Sequence, residues 1–237
     1  MAVEPPGDEP VVAHLLPDLR TVPPTDLTIE FASGGRRLIR LANLVWNSGA
    51  GALELVGALN PSTQQTIVVQ QLSQSNSDEH REYVVGEFVY HPTHGHFHLE
   101  EFALYQIWSL TPDGELHSLV ASGSKLSYCL METNVIDRDN PNFTRRRTHT
   151  ECGQDAQGIL PGWGDRYNAE LDGQTIDVTH LPNGRYALMS TANPTGALLE
   201  SDYTNNTGVV LIELRNTRVT VLGEPGPLEH CRATGRC

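Results

Sequence analysis

No apolar run in this sequence approaches the roughly 20 residues that a helix needs to cross a bilayer. No amphipathic pattern persists beyond a few turns, so helices are not predicted as its framework. The N-terminus, MAVEPPGDEP, has neither the basic start nor the apolar core of an export signal. Lys and Arg total 16 against 29 Asp and Glu, a formal net charge of −13. Nucleic acid is bound through clustered cations, so this balance argues against it as a partner. Encounter with cationic molecules, amines included, is favoured instead. Cysteine is scarce, four in 237 residues, and neither local pair has the tight spacing of a zinc knuckle.

What is present fits one large all-β domain. The length lies above the commonest domain size but within reach of a single β fold. Gly and Pro are plentiful, at 21 and 15, and charge is modest, as in a loop-rich globular protein. Alternating or β-rich segments recur at Leu27–Phe31, Leu38–Trp46, Thr66–Leu72, Tyr83–Tyr90, Leu116–Ala121, Lys125–Met131, Gln174–Thr179, Arg185–Thr191, Gly208–Leu214 and Thr217–Leu222. Between Glu132 and Tyr167 periodicity disappears, and a loop of that length in a compact domain usually serves function. The predicted architecture is a single-domain β-sandwich with long ordered loops and little helix. Residues 1–13 read as a flexible lead-in, 14–222 as the domain and 223–237 as a tail. Cys129 and Cys152 flank a polar loop and would pin the long segment at one edge, while Cys231 and Cys237 close the tail. Two local pairs read best as the disulfides Cys129–Cys152 and Cys231–Cys237, which implies a secreted or extracytoplasmic chain; four thiolates on one zinc is the alternative.

The densest chemistry lies in YHPTHGHFHLEEF, residues 90–102, which holds His91, His94, His96 and His98. Strand side chains repeat every two residues, so His94, His96 and His98 project from one face. On a straight strand the outer two stand about 13 Å apart, and Gly95 supplies the bend that brings them together. Neutral imidazoles so gathered suit copper, zinc, iron or nickel.

With these motifs in order, the chain resembles the catalytic domain of the lysyl oxidase family. The family's H-x-x-H-x-H-x-H run is matched by His91, His94, His96 and His98, ahead of Glu101 and Phe102, with one residue fewer before that Glu-Phe pair. Its Lys-x-Ser-aromatic-Cys-Leu segment is matched at Lys125, Ser127, Tyr128, Cys129 and Leu130. Its Pro-Gly-x-x-Asp-x-Tyr run is matched at Pro161, Gly162, Asp165 and Tyr167. The resemblance implies copper on His94, His96 and His98, and a lysine tyrosylquinone cofactor formed from Lys125 and Tyr167. It also implies the Cys129–Cys152 bridge. The activity implied is oxidation of a primary amine, possible substrates including a lysine-containing protein, to an aldehyde with O₂ consumed and H₂O₂ and ammonia released. Asp165 and Asp177 are the candidate general bases, either needing a raised pKa to act near neutrality. Trp163 stands where animal members have a cysteine, and it is expected at the substrate entrance. Met131 and Met189 read as core filler.

ESDYTNN, residues 200–206, offers hard oxygen donors in Glu200, Asp202, Asn205 and Asn206. The family binds calcium there with an Asp-Leu pair near the domain's start, matched by Asp18 and the carbonyl of Leu19. Two other functions fit parts of the sequence: a secreted copper- or zinc-binding sandwich without catalysis, and a cupin-like mononuclear metal enzyme. The glutamates stand too close to the last histidine for the cupin pattern.

Overall fold

A computed structural model describes residues 14–60, 62–63, 65–75, 79–123 and 127–222. Lys125 and the Cys231–Cys237 pair lie outside these residues. Fifteen strands run β1 Leu19–Ala32, β2 Arg36–Asn47, β3 Leu53–Leu59, β4 Thr66–Ser73, β5 His80–His91, β6 His96–Leu99, β7 Ala103–Leu110 and β8 Leu116–Ser122. They continue as β9 Asn134–Val135, β10 Ala156–Ile159, β11 Trp163–Tyr167, β12 Thr175–Asp177, β13 Gly184–Ala192, β14 Thr207–Arg215 and β15 Arg218–Val221. The helical content among the described residues is one 3₁₀ turn at Ser33–Gly35.

The strands form three five-stranded, antiparallel sheets. The first has the order β1-β2-β11-β9 with β12 also on β2; the second is β10-β3-β4-β5-β6; the third is β15-β14-β13-β7-β8. β1 lies against β13, β14 and β15, so the first and third sheets pack together. One apolar core draws on all three, including Ile39 and Leu41, Leu53 and Leu55, and Ile107, Leu188 and Ile212. β2 is buried continuously from Leu41 to Asn47 because it is paired on both edges. β4 shows the plain alternation of a strand with one covered face. β1 shifts register between Val22 and Thr28, where Pro23 and Pro24 have no N–H to give the ladder and Asp26 takes φ 53°.

The all-β reading therefore holds, with differences in detail, among them β3 at Leu53–Leu59, which no expected segment covers. The stretch without periodicity contains β9, β10 and β11, strands of two to five residues, too short to show a repeat. In place of a strand at Lys125–Met131, its described part makes a single bridge, Tyr128 to Leu99.

Candidate metal centre and cavity

β5 and β6 form a hairpin in which His91 pairs with His96 and Val89 with His98. The turn closes when the amides of His94 and Gly95 both donate to the His91 carbonyl, at 3.0 and 2.8 Å. Gly95 has φ 72°, a conformation that costs an L side chain about 1 kcal/mol or more. Thus His94 comes from the turn and only His96 and His98 from the strand, which gathers the rings more tightly than a bent strand does. Phe97 points the other way and meets Tyr90 edge-on, with ring centroids 5.2 Å apart.

His96 Nε2 lies 2.8 Å from His98 Nε2, and His94 Nδ1 lies 3.3 Å from the same atom. One candidate ligand atom from each ring lies within 4.8 Å of the others. Imidazole nitrogens about 2.0–2.1 Å from a shared ion, at tetragonal to tetrahedral angles, stand about 2.8–3.4 Å apart, so the donor set fits a transition metal.

The segment after β8 and the long loop brace this hairpin. Tyr128 and Leu99 exchange two backbone hydrogen bonds, 2.7 and 3.0 Å. Cys129 and Cys152 form a disulfide, and the Cys152 carbonyl accepts from the Phe97 amide at 3.1 Å. Gln157, wholly buried, donates to the Phe97 carbonyl and accepts from the Leu130 amide. Asp165 and Tyr167 arrive on β11, opposite Val45 and Asn43 of β2. β11 follows Gly162, whose φ is 77° and where a Cβ would sit 2.1 Å from the Asp137 carbonyl oxygen.

A cavity of about 440 Å³ is lined by His94, His96, His98, Asp165 and Tyr167 together with Met131. The Tyr167 hydroxyl donates to the Cys129 carbonyl, and its ring meets Tyr128 edge-on at 4.7 Å. Burial pushes the phenol well above its ordinary pKa, and the nearby Asp165 adds to the shift. Burial likewise raises Asp165 to about 8, against donation from the Met131 amide and the Thr133 hydroxyl. Asp177 is elsewhere: it lies exposed on β12 opposite Leu38, and bonds from the Thr179 hydroxyl and amide hold its carboxyl below the usual range.

Two expectations change. Trp163 does not line this cavity; it is buried, stacks on Phe143 and donates to the Thr144 carbonyl at 2.8 Å, so it holds the loop from within. Met131 is a wall of the cavity, not core filler. Cys152 also lines the cavity, as do Arg166, Glu170, Leu171 and Asp172, which the sequence did not single out. Their proximity to Tyr167 in the chain was the available signal.

The acidic C-terminal segment meets the start of the domain. The Leu19 amide donates to Glu200 Oε2 at 2.8 Å, and Asn205 Nδ2 donates to Asp18 Oδ1 at 2.8 Å. Asn206 and Asn193 both donate to Glu200 Oε1 at 2.6 Å. Asp202 caps its own turn by accepting from Thr204, and also accepts from Asn205 at 3.2 Å. The Asn205 and Asn206 Oδ1 atoms are buried without a hydrogen-bond partner among the described residues. Burial raises the Glu200 carboxyl, and the charge of Asp18 adds to the effect.

Fold and site define an all-β protein with a three-imidazole centre of the kind that holds a transition metal. The chain belongs to the lysyl oxidase family, whose model matches residues 64–223. It is 37% identical to protein-lysine 6-oxidase of Sus scrofa over 129 residues, which are 54% of this chain and 47% of that protein. Against protein-lysine 6-oxidase of Homo sapiens the identity is 36% over 129 residues, 54% of this chain and 28% of that protein. Against lysyl oxidase homolog 1 of Homo sapiens it is 38% over 118 residues, 49% and 19% respectively. The chain therefore spans less than half the length of each of these relatives.

Proposed function

We propose that the protein is a copper-dependent amine oxidase that oxidises primary amines, peptidyl lysine among them, to aldehydes. The observation that carries this is the sharing of one cavity by three imidazoles, Tyr167 and Asp165. His94, His96 and His98 would hold the copper, and Lys125 and Tyr167 would supply lysine tyrosylquinone. When bound, these groups supply the electron sink and the passage of electrons to O₂. The tyrosine fits: its phenol is buried, pinned by the Cys129 carbonyl and edge-packed on Tyr128, so its ring is fixed before any chemistry. Asp165 is the base that takes the proton from the carbon beside the substrate nitrogen. It lines the cavity, is buried, and titrates near the pH at which a base works best.

Calcium is proposed at Asp18, Leu19, Glu200, Asp202, Asn205 and Asn206, where it would pair with the raised Glu200 carboxyl and engage the two bare amide oxygens. The Cys129–Cys152 disulfide supports an extracytoplasmic location.

Phenylhydrazine tests the oxidase reading, because a quinone carbonyl gives a stable coloured adduct. The expected outcome, after copper loading in air, is a coloured protein and a mass-spectrometric cross-link between the Lys125 and Tyr167 peptides. Lys125→Ala should lose both while keeping its copper. A colourless, uncross-linked wild type with full copper would end the proposal.

A further inference from the structure

His98 is the most buried of the three imidazoles, 1% exposed, and its Nε2 is the atom the other two rings approach. A ring that ligates through Nε2 must carry its proton on Nδ1, and a buried N–H needs an acceptor. His98 Nδ1 lies 3.2 Å from Ser127 Oγ, itself only 6% exposed. The same hydroxyl lies 3.3 Å from His91 Nε2, and that nitrogen lies 3.3 Å from Glu100 Oε1. The His91 and His98 rings stack, with centroids 4.3 Å apart. A connected set of polar groups thus runs from the far side of the buried imidazole to a carboxylate at the surface.

Resting on the metal reading above, we propose that Ser127 is a positioning residue for the metal centre. Its hydroxyl accepts a hydrogen bond from His98 Nδ1–H, fixing the tautomer and ring angle that present Nε2 to the ion. Ser127 is held for this task, since the next residue, Tyr128, is clamped to Leu99 of the hairpin by two backbone hydrogen bonds. Lys125 precedes Ser127 by two positions in the chain, so the hydroxyl also joins the metal hairpin to the segment that carries the proposed cofactor lysine. His91 and Glu100 form the outer part of the set, with His91 lending its ring face to His98.

The test is metal affinity, measured on the whole chain by competition for Zn(II) and for Cu(II) against a chromophoric chelator. Loss of an outer hydrogen bond to a ligating imidazole weakens metal binding about 10–100-fold. Ser127→Ala should fall in that range, and its Cu(II) electron paramagnetic resonance spectrum should shift as the His98 ring turns. Ser127→Thr, which keeps the hydroxyl, should restore affinity and spectrum. The metal-free melting temperature of Ser127→Ala should stay near that of the wild type, which a merely structural role would not allow. If Ser127→Ala fails to fold, Ser127→Cys, close in size and a poorer acceptor, is read in its place. Wild-type affinity and spectrum in the variant would overturn the role of Ser127 and leave the metal centre standing. A wild type that binds neither ion would overturn both.

Discussion

Asp165, the proposed base, shows how surroundings set the chemistry of one side chain. It sits on a strand between two sheet neighbours, buried, and burial lifts its carboxyl to about 8. As a base it works only when ionised, so turnover should rise with pH and level off above about 8. Asp165→Asn removes the base, and a decrease of about 10²–10⁴ in kcat is expected, with the rising limb lost. Stopped-flow measurement of amine-dependent reduction under single-turnover conditions checks this. An unchanged limb in the variant would move the base elsewhere. Its legibility was partial. The spacing to Tyr167 placed Asp165 beside the site, but the burial that raises its pKa comes from the fold, in which Val45 of β2, distant in sequence, lies opposite it. Asp177 carried an equally good sequence pattern, and only the fold sets it at the surface.

At the scale of elements, the long loop between β8 and β11 is held by a buried ionic cluster. His149, 3% exposed, has Glu132 at 2.8 Å from Nδ1 and Glu54 of β3 at 3.1 Å from Nε2. Glu132 is wholly buried and also accepts from the amides of Thr148, His149 and Leu160. Burial lowers the His149 pKa, but the two glutamates outweigh it and raise it to about 9. A raised imidazole stabilises the fold fully below its unfolded value near 6.5, and that contribution is lost as pH climbs through about 9. Its size is on the order of 3 kcal/mol. Denaturant titrations of wild type and His149→Gln should therefore differ most near pH 6 and converge towards pH 10. A constant gap would assign the contribution to packing alone. None of this cluster was visible in sequence, because its members come from three separate segments. By contrast, the histidine hairpin was legible in part: the two-residue period holds for His96 and His98, while His94 reaches them from the turn, which the strand pattern did not show.

Across the whole molecule, the first and third sheets meet through β1, and the proposed calcium group links the lead into β1 with the loop before β14. A cation binding the native fold alone stabilises it by mass action, about 2.7 kcal/mol at a concentration a hundredfold above its dissociation constant. In copper-free protein, chelation by EGTA should lower the melting temperature by several degrees, and re-addition of calcium should restore it. Equal melting with and without the chelator would remove calcium from the reading. The class of fold was legible because alternation, or a run of β-branched and aromatic residues, marks most of the long strands. Their division into three sheets was not, since pairing across the chain, such as β11 with β2, leaves no local trace.

The Cys129–Cys152 bridge touches both halves of the cavity. One half-cystine offers its carbonyl to the Tyr167 hydroxyl, and the other offers its carbonyl to the Phe97 amide between two of the histidines. Under the proposed chemistry this imposes an order on biogenesis. The bridge sets the aromatic ring and the imidazoles in a common frame, so thiol oxidation is expected to precede the proposed self-modification. Under that reading, a polypeptide held under reducing conditions would remain an immature precursor.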